Sequence, residues 1–471
     1  MVSVRGRAIA LAMATTLVLG LVPMVSAATL ATFGTPTAAS SFKTGVLFSQ
    51  PLTIDKAVDR VELLLTVADA IGPTIISVTP PDGTGVMTLT HRLDPAADGH
   101  LTPNTPLVAR WRLTAKGDHA DVMIGPEVAI TYVDDRYTWQ TASGDLVRVH
   151  WYEGSKAFGQ RALRVGEDAV RKTSTLLGVV ESKPIDFYVY ADQGPFYDAL
   201  GPGTRENVGG QANAGIRTLF ALIPPAQIDD PWVGIVVPHE LTHLVFNTAV
   251  DNPYHFPPLW LNEGLAVYQS QGYDLSDRGD VEDAARNGTL MPLAALGGQF
   301  PTRVERFRLA YAESVSAVDH LVRTYGPDAL VALIRSYAQG RTDDEAFTTA
   351  LGLDMTAFGS AWLADLKAVP PKRYGPQPAV PGPVPAQWAG QPGASPITPG
   401  GGVASGVASG VPSVPTAAGS TSPTVGGTDG TGSGPGNGFP WSVLMVVALG
   451  AALATALLVA RRRRRRTVET P

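Results

Sequence analysis

The run Pro238-His239-Glu240-Leu241-Thr242-His243 holds two imidazoles four residues apart. On a helix that spacing puts both on one face, one turn apart, so they can grip a single metal ion. Glu240 adjoins the first histidine, where its carboxylate can reach a water on that ion. Trp232, Val233, Ile235, Val236, Leu244, Val245 and Phe246 around it are apolar, so the segment should be buried. Two histidines and a glutamate inside a buried helix are costly unless paired or metal-bound. Twenty residues after His243, Glu263 sits in Trp260-Leu261-Asn262-Glu263-Gly264-Leu265-Ala266. A helix, a turn and a second helix would return it to the histidines. Such a His₂Glu set leaves a fourth position for water, the mark of a catalytic zinc. The expectation is one zinc per chain.

Composition narrows the chemistry. The chain has 471 residues and no cysteine, which excludes disulfides, iron–sulfur clusters, cysteine nucleophiles and thiolate-held metals. Any metal must rest on His, Asp or Glu. The formal net charge is −6. Setting aside Arg5 and Arg7 at the start, and the six tail arginines with Glu469, leaves a middle of net −13. An acidic middle argues against a nucleic-acid partner, because phosphate binding needs a basic face.

The elements that must position these residues follow from hydrophobic period. Residues 28–136 read as a β-sandwich domain. Val61–Leu65, Thr74–Val78, Leu107–Leu113 and Val128–Tyr132 are strand-like and separated by turn clusters. His91, His100 and His119 lie there without ligand spacing and are expected on the surface or in turns. From about Tyr137 the period changes. Leu146–Trp151 and Ile185–Tyr190 read as strands. Ser155 can cap a helix ending at Gly178. Gly209–Ile223 reads as two short strands around a glycine-rich turn, and the pattern is helical from Asp230 to about Val369. Residues 137–369 are therefore an α+β domain with a small sheet and a mainly helical second half. Pro238 removes one backbone donor and is expected to kink the helix just before the first histidine.

The two motifs resemble the gluzincin metallopeptidases, the superfamily of thermolysin and aminopeptidase N, and are most similar to the bacterial peptidase-MA-like proteins. A weaker likeness lies in Tyr311-Ala312-Glu313-Ser314 and the helix running to Tyr325-Gly326. The resemblance implies zinc on His239, His243 and Glu263, with Glu240 as general base in peptide hydrolysis. It also implies a tyrosine or histidine that steadies the oxyanion. Tyr311 is the candidate, and Tyr268 and His255 are weaker ones. His150 and His320 are expected in structural roles. The Gly-x-Met-Glu-Asn motif that holds a substrate amine in aminopeptidases is absent, and residues 209–215 supply no carboxylate. An endopeptidase is expected ahead of an aminopeptidase, with a catalytically silent surface-binding protein as the third reading. The position seven residues after Glu263, acidic in aminopeptidase-N relatives, is Ser270, so Asp251, Asp319 or a backbone carbonyl would have to orient a histidine. The resemblance makes Thr218–Ile223 either the edge strand that pairs with an extended peptide or an ordinary interior strand.

The ends of the chain suggest where it works. Arg5 and Arg7, the apolar run from Ala8 to Val22, and Val25-Ser26-Ala27 read as a signal peptide over residues 1–27. Residues 370–438 are a Pro/Gly/Ser/Thr-rich tether that cannot bury a core. Phe439–Ala460 is an uncharged run long enough to span a bilayer, and Arg461–Arg466 begin a basic tail over 461–471. The expectation is a single-pass membrane protein with its bulk outside the cytoplasm, acting on peptides or proteins.

Overall fold

The structure, a computed structural model, describes residues 29–369 apart from 69, 118–120, 203–208 and 253. The expected signal segment, tether, apolar run, arginine tail and His119 lie outside the described residues. No helix among the described residues is long and apolar enough to cross a membrane.

The described chain opens with nine strands: β1 (Ala31–Phe33), β2 (Thr37–Ser41), β3 (Gly45–Ile54), β4 (Val58–Val67), β5 (Thr74–Val78), β6 (Gly85–Leu93), β7 (Thr105–Ala115), β8 (Val122–Ile124) and β9 (Val128–Tyr132). They form two antiparallel sheets. In one, β3 pairs with β1, β2 and β6. In the other, β7 pairs with β4, β8 and β9, and β4 pairs with β5. Period-2 alternation explains the sandwich. Along β7, Leu107, Ala109, Trp111 and Leu113 are fully buried while Arg110 is exposed. They share one core with Val46 and Phe48 of β3 and Leu63 and Leu65 of β4. His91 is half-buried. His100 uses Nε2 on the Ala199 carbonyl at 2.9 Å.

A third sheet follows, built from β10 (Gln140–Ser143), β11 (Val147–Trp151), β12 (Ile185–Tyr190), β13 (Gly210–Asn213) and β14 (Thr218–Leu222). Its order is β10-β11-β12-β14-β13. β11, β12 and β14 run parallel, so crossovers must join them. The first crossover is helix α1 (Lys156–Leu177). Ser155 Oγ accepts from the Phe158 amide at its start, and Gly178 closes it in the left-handed conformation. α2 (Gln193–Leu200) follows β12, and α3 (Val233–Val250) follows β14. α3 runs unbroken through Pro238.

One expectation is settled by pairing. β14 is hydrogen-bonded on both sides, to β12 and to β13, so it is interior and its backbone is already used. β13 has a strand on one side only among the described residues, and it is the edge. Hydrophobicity explains the order. Leu219, Phe220 and Ala221 are fully buried, whereas only Gly210 of Gly-Gln-Ala-Asn is buried in β13.

By packing, the described chain forms two compact units, the first through Thr248 and the second from Ala249. In the first, the sandwich and the third sheet meet at Asp186. Its carboxylate accepts from Arg148 at 2.9 Å and from Asn104 at 3.1 Å, and lies 2.9 Å from His150 Nε2. The second unit contains α4 (Leu259–Ser270), α5 (Leu275–Asn287), α6 (Val304–Tyr325), α7 (Pro327–Ser336), α8 (Asp343–Leu351) and α9 (Met355–Asp365). α6 is its axis, buried without interruption from Ala310 to Leu321. Trp260 stacks on Phe358 across this core. The Trp362 indole N–H donates to Ser316 Oγ at 3.2 Å.

Candidate metal centre

α3 carries His239, Glu240 and His243. Leu241 to Phe246 are all buried, so this stretch of the helix is fixed by packing on every side. Thr242 Oγ donates to the Pro238 carbonyl at 2.8 Å and lies 3.3 Å from Thr173 Oγ on α1. The four-residue spacing brings the two imidazole rings to 4.9 Å between centroids, tilted by 74°.

α4 carries Glu263. His239, His243 and Glu263 are all buried, and each offers one ligand atom within 4.8 Å of the others. Two imidazole nitrogens and one carboxylate oxygen make a donor set that suits zinc. Burial, and then His243 beside it, holds the His239 imidazole well below its ordinary pKa. The ring is therefore neutral at pH 7 and its lone pair is available to a cation. These residues fit a zinc ion.

Glu240 is fully buried but turned elsewhere. Its Oε2 accepts from the Ala212 amide of β13 at 2.9 Å. Its Oε1 is buried with no hydrogen-bond partner among the described residues. Burial pushes its carboxyl up to about 8, with the Ala212 hydrogen bond pulling the other way. A group poised near neutrality suits proton transfer. The contact with β13 was not legible in the sequence. The only hint was the pairing of a glycine-rich strand with a helix that carries a buried acid.

The other candidates sit as follows. Tyr311 is buried on α6, with its ring edge-on to Phe300 and Phe307. Tyr268 is half-buried on α4. His255 Nε2 lies 3.1 Å from Asp343 Oδ1, and its backbone amide donates to Asn252 Oδ1. That is a loop-fastening role. His150 serves Asp186, and His320 Nδ1 lies 3.1 Å from Asp365. Ser270 Oγ donates to the Val267 carbonyl of its own helix. Asp251 is exposed, and Asp319 accepts from Arg323 at 2.7 Å.

Residues 165–368 match the family model of the peptidase MA superfamily. A search of the curated proteins finds no match. Among solved structures, the chain is similar to an aminopeptidase N family protein from Idiomarina loihiensis. That match has 11% identity and a TM-score of 0.38, over 70% of this chain and 76% of that one. It is also similar to an M1 zinc metallopeptidase from Deinococcus radiodurans. There the identity is 15% and the TM-score 0.29, over 71% of this chain and 93% of that one. A two-domain M1 zinc metallopeptidase bound to L-arginine matches with 14% identity and a TM-score of 0.33, over 71% and 93%. Likenesses of this size carry no argument about the chemistry of this chain.

Proposed function

We propose that this protein is a zinc metallopeptidase that hydrolyses internal peptide bonds. The observation that carries the reading is the buried cluster of His239, His243 and Glu263, beside a Glu240 that is not needed as a ligand. A bound zinc would supply Lewis-acid polarisation and lower the pKa of a water toward about 7. Glu240 takes the proton from the attacking water and returns it to the leaving amine. Tyr311 is proposed to donate to the oxyanion, since a second donor is needed there.

The endopeptidase reading is supported by β13. It is a sheet edge, and an extended peptide can add to an edge as a further strand. The strand and the turn beyond it, residues 209–215, carry no carboxylate to hold a free amine. A chain bound there would not need an N-terminus. The sequence also supports a secreted protein held by Phe439–Ala460, with its arginine tail in the cytoplasm.

The test is metal analysis of the purified protein together with digestion of matched peptides with free and blocked N-termini. About one zinc per chain and cleavage of both peptides are expected. Cleavage of the free peptide alone would make it an aminopeptidase. Zinc without cleavage of either would leave a binding protein. Protease added to intact cells should release a large fragment by cutting between Pro370 and Gly438.

A further inference from the structure

β13 does more than border the sheet. The Leu222 amide donates to the Gly209 carbonyl at 2.9 Å, so the backbone of Gly209 faces β14. Backbone groups alternate along an antiparallel strand, so those of Gly210 and Ala212 face the open edge. The Ala212 amide confirms the phase, because it donates outward to Glu240 Oε2. Gly210 is the other outward residue. A Cβ there would lie 3.1 Å from Glu240 Cγ and 3.1 Å from Val236 Cγ1. That is tight enough to move the glutamate side chain by a few tenths of an ångström.

We infer that β13 sets the pose of the general base. The Ala212 amide occupies Oε2 and leaves Oε1 as the oxygen that exchanges the proton, while the bare Cα of Gly210 makes room for that pose. Gly210 and Ala212 are positioning residues, since they act through Glu240. A carboxylate free to rotate would present either oxygen at a range of angles. One fixed by a backbone donor presents a single oxygen from a rigid strand. This inference rests on the proposed hydrolytic role of Glu240.

Two measurements on the full chain test it. The first is hydrogen–deuterium exchange at the Ala212 amide, in metal-free and zinc-loaded protein. An outward edge amide should exchange fast, yet this one should be protected, and Glu240→Ala should speed it about tenfold or more. Equal exchange in both proteins would overturn the clamp. The second is kinetics of Gly210→Ala. Zinc content, melting temperature and KM should stay near wild type, while kcat falls about 10–100-fold, the scale of a misplaced catalytic group. An unchanged kcat, or a rise in KM alone, would overturn the positioning role. If Gly210→Ala does not fold, an amide-to-ester replacement at Ala212 removes the donor and leaves both side chains. It should show the same kcat loss, and normal turnover would again refute the idea. A wild-type protein without peptidase activity would defeat the proposed function instead, and the exchange result would still decide whether the clamp exists.

Discussion

Gly264 of α4 lies against the backbone of Ser314 on α6. A Cβ at position 264 would sit 2.4 Å from the Ser314 carbonyl oxygen and 2.9 Å from Val318 Cγ2. The first of these is backbone, which cannot turn aside. Gly264 directly follows Glu263, so the close approach of the two helices fixes the position of Glu263 along α4.

Gly264→Ala should therefore force α4 away from α6. A stability loss of about 1–3 kcal/mol is expected from overpacking. Zinc affinity should fall as well, by roughly tenfold or more, because the glutamate moves with its helix. Thermal unfolding and a zinc competition titration check the two effects. Unchanged zinc affinity in the destabilised variant would mean that α4 yields without moving Glu263.

The ligand and the base should separate by substitution. His243→Ala should lose zinc. Glu263→Gln should weaken zinc binding because the anionic ligand is gone. Glu240→Gln should keep zinc and fold, yet lose about 10²–10⁴ in turnover. Zinc content measured beside kcat decides it. An active Glu240→Gln would remove Glu240 from the reaction.

Asp186 gives a pH-dependent contribution to stability. Burial pushes its carboxyl up, but His150, Arg148 and Asn104 together outweigh that and hold it below the ordinary 3.8. A depressed carboxylate stabilises the fold above its unfolded-state value and loses that as pH falls through the folded one. Asp186→Asn should cost about 1 kcal/mol at pH 7, at the low end because Arg148 is half-exposed. The gap between variant and wild type should close below about pH 4. Urea unfolding at pH 7 and pH 3 measures this.

Glu313 runs the other way. It is buried on α6, and both its oxygens lie within 3.1 Å of the Met291 amide. Burial pushes its carboxyl up to about 8, against the Met291 hydrogen bond and Arg306. The folded state keeps the proton while the unfolded chain loses it near the ordinary 4.5. Stability must then fall as pH rises from about 4.5 to about 8. Glu313→Gln removes that loss. Its advantage over wild type should grow across this window, by up to about 5 kcal/mol at pH 8. An advantage that does not change with pH would show that the acid is ionised in the folded protein.

Local signals were legible where one residue decides one feature. Ser155 and Gly178 bracket α1 because a hydroxyl cap and a left-handed glycine are local needs. Alternation in Leu107–Leu113 disclosed a sandwich strand, and the histidine spacing disclosed a shared helix face. What stayed hidden depended on partners distant in the chain. Whether β14 or β13 forms the edge turns on which strand pairs with β12, and period alone does not say. α3 continues through Pro238, since packing on all sides outweighs one missing donor. The bond from Ala212 to Glu240 joins a strand and a helix 28 residues apart and left no mark in either segment alone.

An open sheet edge invites other copies of the same chain, and proteins that keep one must blunt it. β13 is four residues long, and only Gly210 and Ala212 present backbone to the open side. One of those amides is already given to Glu240. A neighbouring molecule would find few bonds there, and a peptide bound as proposed would be held as briefly. The shortness of this edge therefore limits strand pairing between molecules through it. A longer edge strand would hold peptide more firmly and would also favour self-association.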